Sequence, residues 1–313
     1  MFLTSSYLKF AVPSELVLKK TRKIFFNSLK DKEDAMNITL GTVLITGCSS
    51  GIGHALSMEF NRRKYIVYAT ARNVESISSL KEEGINTQFL DVNDEESVKT
   101  VVKRIEIDHG RIDILVNNAG YGSMGPSLEI STAELRRQFE TNVFAPMNLI
   151  QEVVPGMIHA KQGLIVNMGS VSGILATPFS GVYCASKAAL HYLSDALRME
   201  LVPFGIKVIT VQPGRISSNF GKIAKLGVVK NIKSDSVYTS ILDAIHARAD
   251  MSQLKSTSPE YFSRKLINEL QKENPKHIMR IGKSSSLLPF IKRYFPSRVS
   301  DKILSKKFKL DKL

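Results

Sequence analysis

The chain has no tryptophan, two cysteines, six histidines and no unbroken apolar run near the length of about 18 residues that a membrane-crossing helix needs. Cys48 and Cys184 make no CxxC pair and the histidines make no HxxxH pair, which argues against a disulfide scaffold and a zinc site. The expectation is a reducing compartment, no metal, and a cytoplasmic protein. The N-terminus lacks the ordered charge, apolar run and small residues of a secretory signal. What is present, 313 residues with 43% hydrophobic and 23% charged side chains, describes a globular chain long enough to bury a large core without a covalent staple.

Net charge is +14, but it is unevenly placed. Residues 264–313 carry 14 Lys/Arg against 4 Asp/Glu, and residues 1–35 carry 7 against 4, so the middle of the chain is close to neutral. A neutral core with basic ends lacks the basic face that nucleic-acid binding requires, so no nucleic-acid partner is expected. The three parts read as a basic N-terminal extension (1–35), a central domain (36–283) whose less regular stretch at about 212–263 is expected to fold over it as a lid, and a basic amphipathic C-terminal tail (284–313). The extension is either a surface-lying stretch or residues preceding a start at Met36. In the tail, Leu287, Leu288, Phe290 and Ile291 alternate with Lys292, Arg293 and further lysines. That mixture suits peripheral contact with an anionic membrane surface, or docking of the tail on the core or a partner copy.

From residue 42 onward short apolar runs alternate with helical patterns, which predicts a parallel sheet covered on both faces. Strands are expected at 42–46, 65–69, 87–90, 112–116, 163–168, 206–211 and 277–281. In such folds ligands bind beyond the carboxyl ends of the strands, and the chemistry-bearing motifs fall there. The first strand runs into Thr46-Gly47-Cys48-Ser49-Ser50-Gly51-Ile52-Gly53. Gly47 permits a tight turn, Gly51 lets backbone approach a pyrophosphate, and Gly53 lets the next helix pack close to the sheet, its N-terminus favouring an anion. After the second strand, Ala71 stands where a carboxylate would receive a ribose, and the neighbouring Arg72 offers a charged fork to a 2′-phosphate, so NADP(H) is the expected cofactor. Tyr183 and Lys187, four apart on a helical pattern, share one face. A cation beside a phenol favours its ionised form.

Together with Asp91-Val92, Asn117-Asn118-Ala119-Gly120, Asn142, Ser170, Tyr183-Cys184-Ala185-Ser186-Lys187 and Pro213-Gly214-Arg215-Ile216-Ser217-Ser218, this TGxxxGxG turn resembles the classical short-chain dehydrogenase/reductase family over about residues 40–220. The resemblance implies a single Rossmann-type doubly wound sheet of order 3-2-1-4-5-6-7. It implies a catalytic set of Asn142, Ser170, Tyr183 and Lys187. For the cofactor it implies Thr46 through Gly53, Asp91 and Val92 at the adenine edge, and Asn117, Asn118, Ala119 and Gly120 on the floor. Lys187 would hold the nicotinamide ribose, with Pro213, Gly214, Ile216 and Ser218 over the ring. It also implies a small-molecule carbonyl or alcohol substrate and a homo-oligomer. Tyr68-Ala69-Thr70-Ala71-Arg72 and Gly169-Ser170-Val171-Ser172-Gly173 are most similar to the branch acting on steroids, retinoids and acyl-glycerone lipids. The lid would line an apolar pocket with Phe220, Ile223, Leu226, Val228, Val229 and Tyr238. A 3-oxoacyl or small-ketone reductase, or a cofactor-binding membrane scaffold without turnover, are the alternatives.

Overall fold

A computed structural model describes residues 40–251 and 253–313; the basic extension at 1–35 lies outside the described residues. Seven strands among them, β1 (Thr42–Ile45), β2 (Ile66–Ala71), β3 (Asn86–Phe89), β4 (Ile114–Asn117), β5 (Gly163–Met168), β6 (Ile206–Pro213) and β7 (Ile278–Ile281), form one sheet in the order β3-β2-β1-β4-β5-β6-β7. Every pairing is parallel. The expected strand order is the observed one. Strand ends differ from expectation by one or two residues because apolar periodicity marks the buried centre of a strand more sharply than its ends. The order reverses between β1 and β4, which opens a crevice at the carboxyl edge.

Between the strands run α1 (Gly51–Arg62), α2 (Ser78–Glu82), α3 (Glu95–His109), α4 (Thr132–Phe139), α5 (Ala145–Ala160), α6 (Gly181–Leu201), α7 (Phe220–Asn231), α8 (Leu242–Asp250), α9 (Pro259–Leu270), α10 (Leu287–Tyr294) and α11 (Ser297–Lys307). Alternation along each strand sends its side chains to two separate cores. Val43, Ile45, Val67, Ala69, Val166 and Ile209 pack with Leu56 and Phe60 of α1 and Phe262 and Leu266 of α9. Leu44, Tyr68, Leu115, Ile165 and Val208 pack on the opposite face with Val101 and Ile105 of α3 and Leu149 and Val153 of α5.

A third apolar cluster sits over the strand ends, where Phe179 and Tyr183 meet Ala224 and Val228 of α7, Ile245 of α8, and Leu304 and Phe308 from the end of the chain. The stretch 212–263 therefore divides. α7 and α8 cover the carboxyl edge, whereas Phe262 in α9 belongs to the core beneath the sheet. Residues 284–313 lie in the same compact unit as the sheet, with the Phe308 ring edge-on to Phe179 at 6.3 Å.

Candidate active site

The glycine turn is held by a clamp between β1 and β4. Thr46 Oγ1 accepts hydrogen bonds from the backbone N–H groups of Asn118 (3.0 Å) and Ala119 (2.9 Å), and Asn118 Nδ2 donates to the carbonyls of Thr46 (2.8 Å) and Gly47 (3.0 Å). Gly47 and Gly51 have φ of 71° and 58°, the left-handed region where a side chain is strained. At Gly53 a Cβ would fall 2.4 Å from the Gly47 carbonyl oxygen and 2.6 Å from Asn118 Nδ2, so only glycine lets α1 begin this close to the turn. At Gly51 a Cβ would fall 2.6 Å from Cβ of Ser218, which brings the loop after β6 against the turn. Cys48 is buried beneath it, its thiol pushed up to about 11 by desolvation. It is a packing group and not a nucleophile.

Along the crevice, Arg72 is exposed at the end of β2 and lines a cavity that Ala71, Asp91 and Val92 also reach. Asp91 Oδ1 accepts from the backbone N–H of Asn93 at 3.1 Å. Asn117 does not reach the cavity. It is buried within the sheet, its Nδ2 donating to Asn167 Oδ1 at 2.9 Å, because the last residue of β4 still points across to β5.

The second half of the site rests on α6. This helix of 21 residues is rich in Ala and Leu with no proline or internal glycine after its first residue, as a long helix requires, and it gives way to a turn containing Pro203. One of its faces is polar and buried, and it docks on the end of β5. Lys187 Nζ donates to the Met168 carbonyl (2.7 Å), His191 Nε2 accepts the Ser170 backbone N–H (3.3 Å), and Ser194 Oγ accepts from Asn167 Nδ2 (2.9 Å). These bonds at positions 187, 191 and 194 hold the end of β5 against α6, and Ser170 and Tyr183 both line the cavity there. Asn142 sits in a π-helical turn (Glu140–Phe144). Its Nδ2 donates to the Tyr121 carbonyl (3.0 Å) and to Ser186 Oγ (3.1 Å). A Cβ at Gly120 would come within 3.0 Å of Asn142 Oδ1 and 3.5 Å of Lys187 Nζ, so these three residues meet.

Burial dominates the electrostatics. The Tyr183 phenol is pushed up to about 12 by desolvation, which outweighs the lowering by Ser170 and by the Arg248 charge. Lys187 is pushed down to about 8 by burial. The ammonium is turned to a backbone carbonyl, and removing a phenolate from water costs more than its neighbours return.

His191 is pushed down to about 4 by burial, then by Lys187 and Arg280, so it is neutral at pH 7, with Nε2 as its acceptor. The unfolded chain takes up this proton near the ordinary histidine value of 6.5, and the native state resists until about 4. Stability is therefore full above pH 6.5 and falls as pH drops through that window, by about 3 kcal/mol at the acid limit. His191→Gln, which retains an acceptor, is expected to flatten that slope in urea titrations between pH 4 and 6.5. An unchanged slope would assign the acid sensitivity to other groups.

One cavity of about 970 Å³ runs along the whole edge. It is lined by Gly47, Ser49, Ser50, Ile52, Arg72, Asp91, Val92, Asn118, Ala119, Gly120, Ser170, Tyr183, Lys187, Pro213, Gly214, Ile216 and Ser218. Thr46, Gly51, Gly53 and Asn142 stand behind that surface and shape it. Of the lid residues expected at the pocket, Phe220, Ile223 and Leu226 line it, with Phe220 tilted on Tyr183 at 5.3 Å. Val228 is instead buried inside the third cluster, Val229 is exposed, and Tyr238 packs edge-on to Phe179 at 5.8 Å. Sequence reasoning missed Tyr121, Thr177 and Arg248 as lining residues, and missed that the tail supplies Leu288, Ile291, Leu304 and Phe308 to the same cavity. Nothing in their local sequence marks them; tertiary packing alone brings them there.

A parallel sheet reversing at β1 and β4, a glycine turn at that reversal, and a buried tyrosine–serine pair with a lysine one turn on define a dinucleotide-type oxidoreductase site. The family model for short chain dehydrogenase matches residues 41–225, and the chain belongs to that family. It is 33% identical over 272 residues to the short-chain dehydrogenase srdE of Neurospora crassa, covering 86% of this chain and 92% of that protein. To the NADPH-dependent 1-acyldihydroxyacetone phosphate reductase of Saccharomyces cerevisiae it is 31% identical over 280 residues, covering 86% and 92%. A solved short-chain dehydrogenase from Streptomyces avermitilis superposes with a TM-score of 0.72 at 27% identity, covering 88% of this chain and 98% of that one.

Proposed function

We propose that this oxidoreductase uses NADP(H) to interconvert a carbonyl and an alcohol on a lipophilic substrate such as a steroid, a retinoid or an acyl ketone, with Asn142, Ser170, Tyr183 and Lys187 as its catalytic set. The observation that carries the reading is Tyr183, Ser170 and Lys187 together on the wall of one cavity. The residues present fit a dinucleotide. The glycine turn forms a cradle in which side chains at Gly47, Gly51 or Gly53 would collide with protein, and the cavity continues from it to Tyr183. Ala71 and the exposed Arg72 favour a 2′-phosphate, in keeping with the NADPH dependence of the Saccharomyces relative. Bound there, a nicotinamide ring supplies the hydride.

The chain's own residues manage the oxygen. Held at about 12, the Tyr183 phenol keeps its proton at neutral pH and can give it to a carbonyl oxygen as negative charge develops, the task of a general acid. Ser170, fixed by His191 and the turn it caps, donates to the same oxygen. Lys187 would hold a ribose hydroxyl of the bound dinucleotide and, as an ammonium, would be the source from which the phenol recovers its proton. Asn142 keeps the backbone at Tyr121 in place beside it.

The cavity of about 970 Å³ also has to hold the dinucleotide, and beyond the cradle Phe220, Ile223, Leu226, Leu288, Ile291 and Leu304 give its wall an apolar character. That favours a long apolar substrate over a small ketone. The reading includes peripheral membrane contact and a homo-oligomer. Exposed Leu287, Phe290 and Tyr294 on α10 beside Lys292 and Arg293 support an apolar-basic docking face; no helix of the described residues is long and apolar enough to cross a membrane. The test is NADPH oxidation against a panel of ketosteroids, retinal and long-chain acyl ketones. Turnover of at least one long apolar carbonyl compound is expected. Turnover confined to small ketones would overturn the substrate class, and none with any carbonyl compound would overturn the activity.

A further inference from the structure

A serine just ahead of a helix ordinarily turns its oxygen onto a backbone N–H of the first turn. Ser180, which precedes α6, makes no such bond. Its Oγ instead accepts from Arg248 Nη2 at 3.0 Å, and Arg248 Nε donates to Thr177 Oγ1, also at 3.0 Å. The two hydroxyls lie 2.8 Å apart, and Ser180 Oγ donates to the Thr177 carbonyl at 3.0 Å. One guanidinium fork therefore closes the turn at 177–180. Within that turn Phe179 has φ of 63°, a left-handed backbone that is costly for a bulky side chain and persists only where its surroundings hold it.

Arg248 is 7% exposed and makes no ion pair among the described residues. Burying a guanidinium without a carboxylate is unfavourable, and an apolar side chain would fill the same space at less cost. Filling space does not account for it.

The anchors of α6 come from two sources. Lys187, His191 and Ser194 bond to the end of β5. Tyr183 stands ahead of those anchors, in the first turn, three residues after Ser180. The turn before it is tied to Arg248 and to the Gly125 N–H, which donates to the Phe179 carbonyl at 2.9 Å. Arg248 belongs to α8, which covers the carboxyl edge together with α7, and α7 sets Phe220 against the Tyr183 ring at 5.3 Å. The helix is thus held from the sheet after Tyr183 and from the cover before it.

We infer that Arg248 is a positioning residue: through Thr177 and Ser180 it sets where the first turn of α6, and with it the Tyr183 hydroxyl, stands in the cavity, and it ties that placement to the seating of α8. The inference rests on the proposed proton transfer from Tyr183. It gives Arg248 no contact with the reacting atoms.

Arg248→Gln is expected to lower kcat for ketone reduction about thirtyfold and to leave the KM for NADPH unchanged, because a small misplacement of a catalytic group is costly while the glycine turn lies elsewhere. The solvent deuterium isotope effect on kcat should rise, since a misplaced donor makes proton transfer limiting. Thr177→Val combined with Ser180→Ala removes both acceptors and should lower kcat to a similar extent. Arg248→Gln added to that pair should cost no more than about twofold further. Full additivity would mean that Arg248 acts elsewhere, and an unchanged isotope effect would reduce its role to folding; either result overturns the inference.

Amide hydrogen exchange gives a readout that needs no turnover. In Arg248→Gln the Cys184 amide, whose partner is the Ser180 carbonyl, should exchange about tenfold faster, with the amides at 187–194 unchanged. That pattern in a protein that reduces no carbonyl compound would uphold the positioning while the carbonyl reading fails. Native-like exchange at Cys184 would sink the inference whatever the activity. Should Arg248→Gln not fold, Ser180→Ala carries the same measurement, because its hydroxyl caps no helix N–H: faster exchange at Cys184 supports the inference, and an unaltered rate ends it.

Discussion

Tyr183→Phe is expected to lower kcat for ketone reduction by about a thousandfold while the melting temperature stays within a few degrees of the native value. The ring of Tyr183 is buried among Leu175, Phe179 and Val228 and tilted on Phe220, and phenylalanine preserves all of that packing. What is removed is the hydroxyl, on the cavity wall with the Ser170 side chain. A buried hydrogen bond between two hydroxyls is worth about 1 kcal/mol of stability, whereas a proton donor at the reacting oxygen governs the barrier itself. The two readouts therefore separate a chemical role from a structural one.

The pH dependence of the two directions follows from the same residue. Because burial holds the phenol at about 12, its protonated form, the form that reduction needs, is present throughout the neutral range. Alcohol oxidation needs the phenolate and should rise as pH is raised, while reduction stays level until other groups titrate. Equal turnover of native protein and Tyr183→Phe on an accepted ketone would remove Tyr183 from proton transfer and with it the proposed mechanism.

How far the sequence could be read depended on whether a property is local. A parallel sheet follows from alternating apolar and helical segments joined by right-handed crossovers, while its strand order came from the family resemblance. The cradle is legible because Gly47 and Gly51 take up left-handed backbone and Gly53 has no room for a side chain, which are demands a short motif can record. The docking face of α6 is partly legible. The spacing of Tyr183 and Lys187 shows one helix face, but that His191 and Ser194 continue it depends on β5 lying opposite. The lid shows the limit. Val228 and Val229 are adjacent and chemically identical, yet one is fully buried and the other exposed, and only the seating of α7 on α8 decides which. Arg248 was silent for the same reason. In sequence it is one cation among many on a basic chain, and its meaning comes from Thr177, Ser180 and a cavity assembled from distant segments.

Cofactor choice is decided at the end of β2, and the expected reversal is large. Under the proposed function the native protein favours NADPH over NADH, and Ala71→Asp should lower the ratio of kcat/KM for the two by about a hundredfold. Arg72→Ser should lower it by about tenfold. The argument is one of charge in a confined space. Ala71 is the last residue of β2, 6% exposed, and Arg72 follows it in the open cavity. A carboxylate at position 71 would be partly desolvated, so it gains most by accepting hydrogen bonds from two ribose hydroxyls and loses most when a 2′-phosphate stands there instead. Arg72 has the opposite preference, but its exposure to water limits what its charge contributes, which is why removing it should matter less than adding the acid. Asp91 on the neighbouring strand end already supplies one negative charge to this part of the cavity, so a second at position 71 would add to the repulsion of a phosphate. Initial rates with each cofactor at a fixed ketone concentration provide the measurement. A ratio that moves in neither variant would place Arg72 in solvent with no part in cofactor choice and would require the 2′-phosphate preference to be abandoned.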